Sequence, residues 1–258
     1  MSDGEVRYVR DGNVATIIFD RPAARNAMTW RMYEQLADAC ARMQREDGLR
    51  VAVFRGAGGK AFIAGTDIAQ FQAFRGGEDG IAYEEKMGTH LAAIEALPLP
   101  TLAVIEGFAI GGGLAIAACC DLRIATPGSR FGVPIARTLG NCLSMENYAR
   151  LVAGFGASRA KRMLLLAENL VAEEALASGF LSEIVAAAEL DRRVGELTER
   201  LTHHAPITMR VSKEAIRRLL HAGLPASDDL SRACYGSDDF RIGMKAFVDK
   251  RQPQWTGR

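Results

Sequence analysis

Charge of one sign is what this sequence lacks most plainly. Lys and Arg together number 32 and Asp and Glu 31, which leaves a formal net charge of +1. A near-neutral chain gives no bulk electrostatic case for nucleic acid or for an anionic membrane surface. Long apolar runs are missing as well. The most apolar stretch, Thr101–Cys120, is interrupted by Glu106 and by a glycine run, so it reads as a buried strand followed by a buried helix, not a membrane span. Histidine is scarce, at four residues, and no HExxH or similar ligand set is present. The five cysteines are odd in number and match no zinc spacing. No metal is therefore expected, and reduced thiols suit a cytoplasmic protein. The opening segment MSDGEVRYVRDGN has no apolar core, so no signal peptide is expected. GxGxxG and GxSxG are both absent, which removes the usual signs of a dinucleotide fold and of a nucleophile elbow.

What is present is the balance of an ordinary globular enzyme, 48% hydrophobic and 24% charged over 258 residues. Val6–Arg10 and Val14–Phe19 are β-prone runs around Asp11-Gly12-Asn13, which predicts a hairpin. Thr29 is a plausible cap for a helix to about Arg45, with Met32, Leu36, Ala39 and Met43 on one stripe. Strands follow at Val51–Phe54 and Phe62–Ala64. Gln70–Gly80, with its glycine pair and charges, reads as a surface loop after a short helix, and Ile81–Leu97 as a helix ending before Pro98. A strand at Thr101–Ile105, a helix opened by Gly111-Gly112-Gly113 and a strand at Leu122–Ala125 come next. This alternation indicates an α/β core with crossover connections. From about Pro206 the pattern is helical, so the chain divides into a core over 1–204 and a C-terminal helical region over 205–258.

Two short segments carry chemical potential. Three glycines between a strand and a helix let another molecule approach the backbone, where the unpaired N–H groups and the dipole of the helix N-terminus favour negative charge. That is one way to build an oxyanion hole from backbone alone, although the triplet also reads as a tight, closely packed turn. Ala64-Gly65-Thr66-Asp67 ends a strand. Its Thr66 N–H is a candidate second donor, while Asp67 reads equally as a helix cap.

Six segments, in order, are similar to the crotonase (enoyl-CoA hydratase/isomerase) superfamily. They are Arg21-Pro22 with Arg25-Asn26-Ala27-Met28, then Ala61–Ile68, Gly107–Gly113, Cys120–Ala125, Phe131-Gly132-Val133-Pro134, and Gly243–Arg251. The resemblance implies a spiral of ββα units with a C-terminal helical appendage, assembled as a homotrimer or a dimer of trimers. It implies an acyl-CoA substrate, with coenzyme A entering as part of that substrate and no tightly bound cofactor. The N–H groups of Thr66 and Gly112 would hold the thioester oxygen of an enolate-like intermediate. Ala64, Asp67 and Ile68 fall in the stretch that lines the adenine pocket. Ala24 and Arg25 would border the CoA phosphates and pantetheine, where a guanidinium suits anionic oxygen. Phe247 and Lys250 match positions that reach CoA from a neighbouring subunit.

The chain departs from that pattern where hydratases carry two glutamates. Ala115 and Ile135 stand at those positions, and neither can position water or shuttle its proton. Replacement groups are sought in the loop that follows. Glu146 is a candidate base or an ordinary first-turn acid of a helix capped by Ser144. Cys142 is a candidate nucleophile or proton donor, or an inert buried thiol. Asn141 would orient a carbonyl or a water, or simply make a turn. His90 is a further titratable group near the expected acyl pocket, or a structural histidine. An enolate-forming acyl-CoA enzyme of isomerase, lyase or decarboxylase type is the leading expectation. A non-catalytic acyl-CoA-binding sensor or partner subunit is the alternative, and a hydrolase using Cys142 or Ser144 ranks last.

Overall fold

The structure, a computed structural model, describes residues 3–258 and within them all side chains but those of Ala69 and Gln70. Strand β1 (Glu5–Asp11) turns at Gly12, in the left-handed region at φ 55°, into antiparallel β2 (Val14–Asp20). Strand β2 alternates, burying Ala15, Ile17 and Phe19. It continues through parallel β3 (Val51–Gly56), β5 (Thr101–Ile105), β7 (Leu122–Ala125) and β10 (Glu183–Ile184) into a six-stranded sheet. A second sheet of four strands holds β4 (Ala61–Ala64), β6 (Phe108–Ile110), β8 (Arg130–Gly132) and β9 (Asn169–Val171).

Successive strand pairs β3/β4, β5/β6 and β7/β8 each give one strand to each sheet, and a helix follows each pair. This is the spiral of ββα units expected from the resemblance. Each unit turns a corner between the sheets. At the β5–β6 corner Gly107 has φ 68°, and a Cβ there would overlap the Lys60 carbonyl, so only glycine fits.

Helix α1 (Trp30–Arg45) begins as expected, with Thr29 Oγ1 accepting from Met32 N–H at 3.3 Å, and buries Met32, Leu36, Ala39 and Met43. Helix α3 (Gly112–Cys119) opens on the glycine triplet. Helix α2 differs from expectation. It spans Gly77–Glu95, starting four residues before Ile81, with Glu78 and Asp79 in its first turn. Its early glycines, read in the sequence as loop punctuation, are contact sites instead. A Cβ at Gly77 would lie 2.7 Å from Arg232 Cα, and one at Gly80 would overlap the ring of Tyr235.

After β8 come α4 (Ile135–Thr138) and the long α5 (Met145–Leu165), kinked at Gly156, then α6 (Ala172–Ala177) and α7 (Leu190–Thr202). Beyond Pro206 the chain is helical, as expected: α8 (Pro206–His221), α9 (Asp228–Tyr235) and α10 (Asp238–Val248). Helix α8 leaves Ile207, Val211, Ile216 and Leu219 exposed. The last two helices turn back onto the core. Tyr235, Phe240 and Met244 join Phe71, Leu139 and Cys142 in a second buried cluster. Gly243 lets α10 approach so closely that a Cβ there would overlap the Leu139 carbonyl. No helix among the described residues is long and apolar enough to cross a membrane.

The α2–α9 contact is directly testable. Gly80→Ala is expected to lose about 1–3 kcal/mol of stability, the usual cost of overpacking. Gly88→Ala, on the same helix with nothing within 4 Å of its Cβ position, is expected to gain up to about 1 kcal/mol from helix propensity. Thermal or urea denaturation of the two variants reads the difference.

Candidate active site

A cavity of about 530 Å³ opens where the end of β4, the start of α3, the inner face of α2 and the loop before α5 converge. At its centre lie Thr66 and Gly112. Strand β4 pairs with β6 up to Ala64↔Ile110, so the two chains leave their strands side by side, into Gly65-Thr66 and Gly111-Gly112. Thr66 also bridges Met28. That bridge uses Met28 N–H to Gly65 O at 2.9 Å and Asp67 N–H to Met28 O at 2.8 Å. Extended backbone alternates direction, so the Thr66 N–H points to the opposite side, where Gly111-Gly112 run. Gly112 is the first residue of α3, so its N–H has no partner within the helix.

The glycines set the spacing. A Cβ on Gly113 would overlap the Ile63 carbonyl. One on Gly112 would stand 2.6 Å from Tyr33 Oη, 2.9 Å from Thr66 Oγ1 and 4.0 Å from Thr66 N. The space beside Gly112 is therefore closed by the two hydroxyls, with the Thr66 amide nitrogen at its edge. Tyr33 Oη and Thr66 Oγ1 lie 2.9 Å apart in a hydrogen bond that fixes the loop from behind.

The mouth is held by the Arg21–Met28 loop. Buried Asn26 accepts from Arg21 N–H at 2.9 Å and donates to Ala57 O and Ala61 O at 3.0 and 2.8 Å, with its backbone in the left-handed region. Ala64 N–H donates to Arg25 O at 3.0 Å. Ala24, Arg25, Ala64, Asp67 and Ile68 all line the cavity. Arg25 is exposed with its guanidinium 5.2 Å over the Phe108 ring, and Asp67 pairs with Arg21 at 2.8 Å. Phe247, half exposed, lines the cavity of its own chain. Helix α10 folds back onto residues 68–73 and α4 of its own chain, which brings Phe247 there. Lys250 is exposed past the end of α10 and does not line the cavity.

Ala115 and Ile135 both line the interior, together with Val133, Met87, Leu91 and Leu143, so that part of the wall is apolar. Asn147 also lines it and is fixed from behind. Its Oδ1 accepts from Arg150 Nη1 at 2.9 Å, and Arg150 makes a buried two-point pair with Glu95 at 2.8 Å.

A carboxyl group that the sequence reading did not nominate borders the cavity. Glu84, on α2, is 7% exposed and lines the wall shared with Met87 and Leu91, one and two turns further on. Tyr235 Oη donates to Oε1 at 2.6 Å, and the Ser144 N–H donates to Oε2 at 2.9 Å. Burial nevertheless dominates and raises the Glu84 pKa to about 7, against the two hydrogen bonds that lower it. The sequence held a signal for it. Ile81, Glu84, Met87, Leu91 and Ile94 fall on the buried stripe of α2, and an acid within such a stripe needs a reason.

The loop residues considered as acid/base candidates separate. Asn141 lines the cavity, its Nδ2 3.5 Å from Tyr235 Oη, and its buried Oδ1 has no partner among the described residues. Cys142 faces the second buried cluster, where the Cys234 thiol and burial push its own thiol far up, so no thiolate is at hand near neutral pH. Glu146 is exposed in the first turn of α5 and borders a different cleft. Ser144 stands at the N-cap position, yet its side chain makes no capping bond. His90 stacks on Tyr33 with ring centroids 5.7 Å apart, and burial lowers its pKa. No group of residues suited to hold a metal ion occurs among the described residues.

Comparison with known proteins agrees with this geometry. A profile of the enoyl-CoA hydratase/isomerase family matches residues 10–258, and the chain belongs to that family. It is 29% identical to the short-chain-enoyl-CoA hydratase of Clostridium acetobutylicum, over 94% of each chain. It is 32% identical to the mitochondrial enoyl-CoA hydratase domain-containing protein 2 of Bos taurus, over 95% of this chain and 84% of that one. A methylmalonyl-CoA decarboxylase in complex with 2-nitronate-propionyl-CoA superposes with a TM-score of 0.90 at 29% identity, over 98% of each chain.

The raised pKa of Glu84 has a stability consequence. The native state holds its proton up to about pH 7, whereas an exposed carboxyl loses it near 4.5. Between those values the folded chain binds more protons, so stability falls as pH rises through that window. The melting temperature of the wild type is expected to drop between pH 5 and 8 relative to Glu84→Gln, measured by calorimetry in parallel.

Proposed function

We propose that this chain acts on a coenzyme A thioester by forming an enolate whose oxygen is held by the Thr66 and Gly112 N–H groups. The close approach of the Thr66 backbone to the first residue of α3, whose N–H has no partner within the helix, supports the reading. Preorganised backbone donors act where negative charge develops, in a site poor in water, and each is worth about 10²–10³ in rate. Arg25 and the loop pinned by Asn26 would border the CoA phosphates. Ala64, Asp67 and Ile68 would flank the adenine, with Phe247 at the mouth.

Hydration of a 2-enoyl-CoA needs a pair of acid/base groups around a water. The apolar wall of Ala115 and Ile135 does not supply one. Decarboxylation needs less. The bond between Cα and the carboxylate breaks, its electron pair passes to the thioester oxygen as an enolate, CO₂ leaves, and Cα takes one proton. An apolar wall favours loss of a neutral molecule over retention of an anion. The likeness to a methylmalonyl-CoA decarboxylase supports a 2-carboxyacyl-CoA as the substrate class.

Incubation with malonyl-CoA, methylmalonyl-CoA and crotonyl-CoA, followed by mass spectrometry, tests this. Loss of CO₂ from a 2-carboxyacyl-CoA is expected, with no hydration of crotonyl-CoA at ordinary hydratase rates. Rapid hydration of crotonyl-CoA would contradict the reading, and calorimetric binding without any turnover would favour a sensor. Gly112→Ala drives a methyl against the Tyr33–Thr66 hydroxyl pair and so displaces the Thr66 loop, and is expected to lower turnover by about 10²–10³, as for loss of one oxyanion donor.

A further inference from the structure

The α2 carboxyl has a position that its burial alone does not explain. Glu84 borders the acyl cavity on one side and, on the other, a second cleft of about 760 Å³. It thus stands between the largely apolar acyl cavity and a more polar cleft, anchored by Tyr235 Oη at 2.6 Å and the Ser144 N–H at 2.9 Å. The anchoring is built in from a distance. Gly80 sits one turn before Glu84, and its missing side chain gives the Tyr235 ring its seat. The partially satisfied Asn141 amide approaches the same hydroxyl from the cavity side.

We propose that Glu84 is the proton-transferring residue of the acyl cavity, and that it exchanges its proton with solvent through the cleft behind it. This assignment rests on the enolate reading above. In the decarboxylating direction the Glu84 acid gives its proton to Cα of the enolate and is left as a carboxylate, which regains a proton from water in the cleft. In the reverse sense the carboxylate takes a proton from Cα, and the electron pair moves to the thioester oxygen. Tyr235 is a positioning residue, holding the carboxyl at the wall.

The titratable groups that face Glu84 lie on several elements. On the buried side are Tyr33 of α1, Tyr83 of α2 itself, Cys142 of the loop, Tyr148 of α5, and Cys234 and Tyr235 of α9. Glu146, on the cleft side, disfavours the Glu84 charge, while the Tyr235 hydrogen bond favours it. Arg217, His221 and Asp228 line the cleft further out, with the Glu95–Arg150 pair and Glu85 on its wall. Burial raises the carboxyl to about 7, so it changes charge within the range where an enzyme works.

The test follows exchange of the Cα proton of propionyl-CoA in D₂O by NMR, beside calorimetric binding of the same compound, for wild type, Glu84→Gln and Tyr235→Phe. The wild-type exchange rate is expected to rise with pH, with a midpoint near 7. Glu84→Gln is expected to retain binding and lose exchange by about 10²-fold or more, the scale of general acid–base catalysis. Tyr235→Phe, which removes a hydrogen bond that favours the carboxylate, is expected to move the midpoint upward, an effect that a merely structural role would not give. Exchange by Glu84→Gln at the wild-type rate would overturn this assignment alone. A wild type that binds propionyl-CoA yet exchanges nothing and decarboxylates nothing would overturn the enolate reading and the assignment together.

Discussion

The approach of one loop to another, backbone against backbone, governs the architecture of this protein. At the end of β4 the chain passes so close to the start of α3 that a side chain on Gly113 would strike the Ile63 carbonyl, and one on Gly112 would fill the gap beside Thr66. Two adjacent strands deliver the loops, and a glycine triplet permits the contact. A helix N-terminus and an extended residue are thereby set beside each other, the arrangement from which the proposed pair of amide donors is drawn. The ββα spiral is the scaffold that holds this contact. Its two sheets fix the strand ends, Asn26 ties the Arg21–Met28 loop to the β3–β4 connection, and the Tyr33–Thr66 hydrogen bond braces the arrangement from α1.

A pocket with such donors still needs somewhere for a proton to go. Ala115 and Ile135, which stand where the resemblance implies two acids, line an apolar part of the cavity. A buried carboxyl, Glu84, lies on α2 beside that apolar part, where burial raises its pKa to about 7 and Tyr235 of α9 pins it in place. The C-terminal helices are therefore more than an appendage. Helix α8 keeps an apolar face outward, while α10 adds Phe247 to the cavity lining and α9 holds Glu84 through Tyr235.

Much of this was legible in the sequence, and what was not shares a cause. The glycine triplet, the Thr29 cap and the alternation of β2 are local patterns, and local rules read them well. Ala115 and Ile135 were legible as substitutions at positions that the resemblance identifies. Gly77 and Gly80 were misread as loop because glycine signals both a turn and a close approach, and only the packing of α9 decides between them. The same packing hid Glu84. Its partner Tyr235 lies 151 residues away, so nothing near it in sequence announces the pair. Attention went to the loop after α4 instead. There Cys142 turns into a buried cluster and Glu146 faces the other cleft, while Asn141 alone of these residues reaches the cavity.

The convergence of the Thr66 and Gly112 amides on a thioester oxygen is the claim on which the functional account stands. Isotope-edited infrared spectroscopy of an acyl-CoA labelled with ¹³C at its carbonyl reads that contact without requiring turnover. Two hydrogen bonds to the oxygen predict a carbonyl stretch at clearly lower frequency in the bound thioester than in the free one, with the shift reduced in Gly112→Ala. A bound thioester whose carbonyl absorbs where the free one does would show that the amides hold nothing, and would contradict the account.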